Sequence, residues 1–175
     1  PKAPWQLDEY MMAGFLVLRD ANWFTDFPTS VEWAEYLYSY SRAHSVDGVI
    51  AIDQHVAVEL LKTLGPIRVE DVSFDITHEN VLEYMRAAKE APPPGTTSRW
   101  DRKQFISRMA KPLLEKVLNA RGTTWSKLAP VLIKLLDERH ILLQFDDIET
   151  TNLLERRKWD GAVRPPQNSD YLMIV

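Results

Sequence analysis

The 175-residue chain is 45% hydrophobic and 26% charged, a balance that supports one folded domain with its own core and excludes a disordered segment. Its formal net charge of −4 argues against general nucleic-acid binding. The absence of cysteine removes disulfides, thiolate metal sites and a thiol nucleophile, and is compatible with an oxidising exterior. No apolar run approaches the roughly 18 residues that would cross a bilayer, and no signal peptide is visible.

In chain order, Gly14-Phe15-Leu16-Val17-Leu18 is a short apolar run of the kind that forms a buried strand, followed by the polar segment Arg19-Asp20-Ala21-Asn22-Trp23. Thr29 and Glu32 have capping-box spacing, which predicts a helix that buries Val31, Ala34, Leu37 and Tyr38 and runs to about Arg42. Asp26, ahead of Phe27-Pro28, reads as a turn or capping residue.

Val49-Ile50-Ala51-Ile52 predicts a second buried strand, and Asp53 the cap of a helix that Gly65-Pro66 stops. Ile67 to Phe74 reads as extended. Thr77 caps a third helix through about Lys89, broken by Ala91-Pro92-Pro93-Pro94-Gly95. Ser98 caps the longest helix, with Phe105, Ile106, Met109, Leu113, Leu114, Val117 and Leu118 facing a core and Pro112 predicting a kink.

A helix over about Trp125 to Arg139 buries Leu128, Val131, Leu132, Leu135 and Leu136. Ile141 to Phe145 predicts a strand, and Glu149 to Lys158 a short helix before the loop Trp159-Asp160-Gly161. The apolar run Tyr171 to Val175 reads as a final strand at the last residue, so a parent protein is expected to continue beyond both ends. Strands alternating with helices predict an α/β fold: a mixed sheet covered by helices on its faces, in a single domain over residues 1–175.

Two blocks carry a resemblance. Leu18 to Ser30 (LRDANWFTDFPTS) and Val46 to Asp53 (VDGVIAID), the latter followed by Leu60 to Ile67 (LLKTLGPI), resemble a bacterial envelope family known as domain of unknown function 4012. Ile76 to Val81, Lys103-Gln104-Phe105, Arg139 to Leu143 and Trp159 to Ala162 agree with it. The resemblance implies a location outside the cytoplasm, with membrane tethering through segments absent from this chain, and assigns no activity.

A more distant similarity is to the LytR–CpsA–Psr enzymes, which transfer glycopolymers from a polyprenyl-pyrophosphate carrier to the cell wall. Arg19-Asp20, Leu64-Gly65-Pro66-Ile67, Arg86 and Arg99-Trp100-Asp101-Arg102-Lys103-Gln104 follow that family's order. Pro66 departs from it by replacing a glycine, and a second arginine after Arg86 is absent.

This similarity implies that Arg19, Arg86, Arg99, Arg102 and Gln104 contact phosphate, that Arg19 and Asp20 are catalytic, and that Asp20 holds Mg²⁺ or activates the acceptor. Guanidinium groups suit pyrophosphate because they donate forked hydrogen bonds and keep their charge, and Mg²⁺ takes one or two carboxylates beside phosphate oxygens. The plainer alternatives are an Arg19–Asp20 surface ion pair and a solvated basic helix face.

Of the tryptophans, Trp5, Trp33, Trp125 and Trp159 are expected as core or interface anchors, whereas Trp23 and Trp100 neighbour the basic residues and are candidates for lipid or glycan contact. His44, His55, His78 and His140 show no metal-binding spacing, and no P-loop, nucleophile elbow or dinucleotide fingerprint occurs. The expected function is a non-enzymatic envelope module that binds a glycan, lipid carrier or partner protein. The alternative is a phosphotransferase acting on polyprenyl-pyrophosphate-linked glycopolymers.

Overall fold

A computed structural model of the chain describes residues 1–70, 72–90 and 102–166. Their elements are α1 (Trp5–Met11), a 3-10 helix (Leu18–Trp23), α2 (Phe27–Arg42), β1 (Gly48–Ile52), α3 (Gln54–Leu64), α4 (Val81–Glu90), α5 (Arg102–Leu118), α6 (Gly122–Asp137), β2 (Ile141–Phe145) and α7 (Ile148–Arg157). The class is α/β. Two compact units form, one from Pro1–Ala51 together with the chain from Ile141 onward, the other from Ile52–His140. Among the described residues no helix is long and apolar enough to cross a membrane.

In the first unit, Ala3, Leu7, Leu16, Ala21 and Leu37 form a buried cluster, with Ala13, Trp33 and Ala34 packed against it. α2 starts where Asp26 caps it: the carboxylate accepts from the Thr29 N–H at 3.1 Å and the Thr29 hydroxyl at 2.7 Å. The expected Thr29 cap is therefore displaced three residues upstream. Pro28 explains this, since the first helical turn is where proline needs no N–H partner and its fixed φ is helical. α2 ends at Arg42, as the periodicity predicts.

β1 and β2 form the two-stranded sheet of the described residues. The strands are antiparallel: the Asp146 N–H donates to the Asp47 carbonyl at 3.1 Å, while Asp53, further along the first strand, pairs back to His140. The sheet is thus smaller than the expected mixed sheet.

Gly14–Leu18 is not a strand. It makes a single antiparallel bridge, Lys2 to Phe15, and only Leu16 is buried, whereas Phe15 is 75% exposed. One partner residue cannot hold a ladder, and the run gives way to the 3-10 helix at Leu18. Similarly, the extended stretch after Ile67 closes with one bridge, between Ile67 and Ile76.

In the second unit, α3 buries Val56, Ala57, Leu60 and Leu61 and packs with α4, α5 and α6. α6 contributes Leu128 and Leu135, α5 contributes Met109 and Leu113, and the loop before α4 adds Ile67, Val69 and Ile76. Leu114 and Leu118, expected to face the core, are exposed instead. α3 stops before Gly65, and its last carbonyls are gripped from α5: the Lys116 ammonium donates to the Leu64 oxygen at 3.0 Å and to the Pro66 oxygen at 2.7 Å. A cation at a helix C-terminus satisfies orphan carbonyls and opposes the helix dipole. The expected cap Ser98 and the final strand from Tyr171 lie outside the described residues.

Candidate functional site

Arg19 and Asp20 sit on the 3-10 helix rather than at the end of a strand. Arg19 Nε lies 3.4 Å from Asp20 Oδ1, with the arginine side chain 81% exposed and the aspartate 25%. Behind them, within the first unit, is an open depression of about 320 Å³. Leu18, Ala21, Phe27, Val31, Ala34, Val49, Ile50 and Ala51 give it an apolar lining, and Arg19, Asn22 and Ser30 supply polar side chains. The Ser30 hydroxyl is already committed, donating to the Phe24 carbonyl at 2.9 Å. Arg19 is therefore an exposed cation beside an apolar recess, paired among the described residues with the neighbouring Asp20 carboxylate.

The other residues expected at this site divide as follows. Arg86 is exposed on α4. Arg102 and Gln104 lie in the first turn of α5, where only the backbone is described. Arg99 and Trp100 fall outside the described residues. Trp23 is 41% exposed at the end of the 3-10 helix. Trp5 and Trp125, expected as core or interface anchors, are 65% and 50% exposed. Among the described residues no group of three or more His, Asp or Glu side chains is placed to hold a metal ion, so Asp20 enters no such cluster.

Three further polar constellations lie outside the expected site residues. Asp53 caps α3, accepting from the His55 N–H at 2.8 Å, and its second oxygen meets His140 Nδ1 at 2.6 Å. The His55 and His140 rings lie 4.4 Å apart, and His55 Nε2 is 3.9 Å from Glu59. Burial raises the Asp53 carboxyl, but the His140 contact and the Val56 and His55 N–H groups outweigh it and hold the group below the usual range.

In the first unit the Trp159-Asp160-Gly161-Ala162 segment is a staple. The Leu143 N–H donates to the Trp159 carbonyl at 3.1 Å, and the Phe27 N–H donates to the Gly161 carbonyl at 3.3 Å. The Val163 N–H donates to Asp26 Oδ1 at 2.9 Å, so the capping aspartate of α2 also holds the returning chain. Asp160, only 2% exposed, is paired with Arg164. The third constellation is Glu35 on α2, whose Oε1 is buried without a hydrogen-bond partner. Its signal was legible: residues 31, 35 and 38 recur at helical spacing, which puts an acid in the apolar stripe.

A family described as "Protein of unknown function (DUF4012)" matches residues 1–89, just over half of the chain. The chain belongs to the DUF4012 family. Both blocks that carry the resemblance, Leu18–Ser30 and Val46–Ile67, fall within the matched residues, as do the 3-10 helix, α2, β1 and α3. No curated protein and no solved structure matches the chain. The DUF4012 match therefore covers Arg19, Asp20, Trp23 and Glu35, together with the whole lining of the apolar depression, and leaves their chemistry to be argued from geometry.

Proposed function

We propose that this DUF4012 chain is a non-enzymatic binding module of the bacterial cell envelope, acting outside the cytoplasm within a membrane-tethered parent protein. Its ligand on this reading is a polyprenyl-pyrophosphate carrier. The observation that carries the reading is Arg19, a guanidinium 81% exposed that also lines an open apolar depression. Isoprenoid carbons suit the apolar lining, and a pyrophosphate accepts the forked hydrogen bonds that a guanidinium donates. Releasing Arg19 from Asp20 costs little, because an exposed ion pair contributes well under 1 kcal/mol or about that much. Binding rather than transfer is supported by the polar side chains of the recess, where Asn22 does not ionise and Ser30 is engaged with Phe24.

Fluorescence titration with a polyprenyl pyrophosphate in detergent, against the matching polyprenol, tests this. Saturable binding of the pyrophosphate is expected, and Arg19→Ala should weaken it about tenfold, the value of a charge-assisted hydrogen bond. The variant should keep the wild-type stability within about 0.5 kcal/mol, as exposed surface changes do. Equal affinity for the polyprenol would remove the anion from the reading. Release of the carrier pyrophosphate on adding an acceptor polymer would replace the binding module with a transferase.

A further inference from the structure

Within the first unit, α2, β2 and α7 line a second open cavity of about 330 Å³. Two of its lining residues, Glu35 from α2 and Gln144 from β2, each carry a side-chain oxygen with essentially no accessible surface and no hydrogen-bond partner. A buried acceptor without a donor is costly, and such a pair in one cavity calls for an explanation. Neither a water molecule nor a ligand atom reaches these oxygens without movement of the protein. A proton is small enough to do so. One proton on Glu35 turns its carboxyl into a donor, and Gln144 supplies the acceptor.

We propose that Glu35 and Gln144 form an acid-operated clasp, in which the protonated Glu35 carboxyl donates to Gln144 Oε1 and fastens α2 to β2, and ionisation of Glu35 releases it. The charges that face Glu35 all favour the closed form. Glu32 approaches from α2, Asp47 from the turn before β1, and Asp146 from the end of β2. α7 contributes Ile148, Thr151 and Asn152 to the cavity, none of which titrates, and β1 carries no ionisable residue. Burial first, then Asp146, Asp47 and Glu32, hold the Glu35 carboxyl above the ordinary glutamate range. α7 itself is fixed to β2 by the Thr151 hydroxyl, which donates to the Phe145 carbonyl at 2.7 Å, so the clasp acts on α2.

The sign follows from the direction of the shift. A carboxyl raised in the folded state stabilises that state below its unfolded pKa, and the contribution is lost as pH rises through the folded value. The test is a carboxyl-carbon NMR titration of the full chain, with Glu35 assigned through Glu35→Gln, joined to urea unfolding across mildly acidic pH. Glu35 should titrate above the ordinary glutamate midpoint. The wild-type urea midpoint should rise as pH falls through that window, and Glu35→Gln should flatten the response.

Gln144→Leu should move the Glu35 midpoint downward, because it removes the acceptor of the protonated form. An upward move would mean that Gln144 presents its amide N–H to a carboxylate, and would overturn the clasp. So would a Glu35 midpoint at or below the ordinary value in the wild type, which is readable even if a variant fails to fold.

Discussion

His140 Nδ1 stands 2.6 Å from Asp53 Oδ2, joining two residues that lie 87 positions apart. The same two residues also share a backbone bond, from the Asp53 N–H to the His140 carbonyl at 3.2 Å. One carboxylate thus caps α3 and holds an imidazole that precedes β2. Asp53→Ala should destabilise the chain by about 1–2 kcal/mol, because it removes both the cap and the His140 partner. Asp53→Asn keeps a capping oxygen and loses the charge. Since the Asp53 carboxyl is held below its usual range, its stabilisation is present above the unfolded pKa and is lost as pH falls through the folded value. The advantage of wild type over Asp53→Asn should therefore shrink in acid, measured by urea unfolding at a series of pH values. A constant difference would show that the cap alone matters.

Asp160 is 2% exposed and depends on Arg164, which is within reach of solvent. Arg164→Met should cost about 3 kcal/mol, the penalty of leaving a buried carboxylate unpaired. Asp160→Asn added to it should recover part of the loss. Burial raises the Asp160 carboxyl, and the Arg164 pair brings it below its usual range. Without Arg164 the burial remains. In the single variant the Asp160 contribution to stability should then grow as pH falls, whereas in the wild type it is lost as pH falls below the unfolded aspartate value. Parallel pH profiles for the two proteins would contradict this.

Gly161 takes φ +65°, and a Cβ there would stand 2.8 Å from Phe27 Cβ and 2.9 Å from Leu142 Cδ1. Gly161→Ala combines left-handed strain with overpacking and should cost about 2–4 kcal/mol. At Gly48 the added Cβ would meet the Gln144 carbonyl oxygen and, at 2.9 Å, Phe145 Cα, both of them backbone atoms of β2. Backbone yields less than side chains, so Gly48→Ala should be the worse of the two. Thermal unfolding by circular dichroism ranks them. A Gly161→Ala variant as stable as wild type would mean that Phe27 and Leu142 move aside freely.

What could be read before folding follows the reach of each signal. The end of α2, the bounds of α3 and α7 and the positions of β1 and β2 were legible because caps, stops and apolar periodicity act within one or two turns. Asp53 as a cap and Gly65-Pro66 as a stop are of this kind. The Gly14–Leu18 run misled because its apolar content resembles a strand, while strand formation depends on a partner supplied elsewhere in the chain. Of the site, Arg19, Asp20 and Trp23 were legible as a motif, but not the recess that Phe27, Ala34 and Ala51 build behind Arg19.

The sequence by itself determined α3 with its cap and stop, the course of α2, α6 and α7, and the DUF4012 membership, since these rest on residues adjacent in the chain. Only the tertiary structure decided which polar groups meet. Val163 reaches Asp26 across 137 positions, and His140 reaches Asp53 across 87. The burial that leaves Glu35 Oε1 without a partner likewise comes from distant segments packing around α2. Periodicity tells which face of a helix is apolar. It carries no information on which distant segment will cover that face, and burial and charge pairing depend on that covering segment.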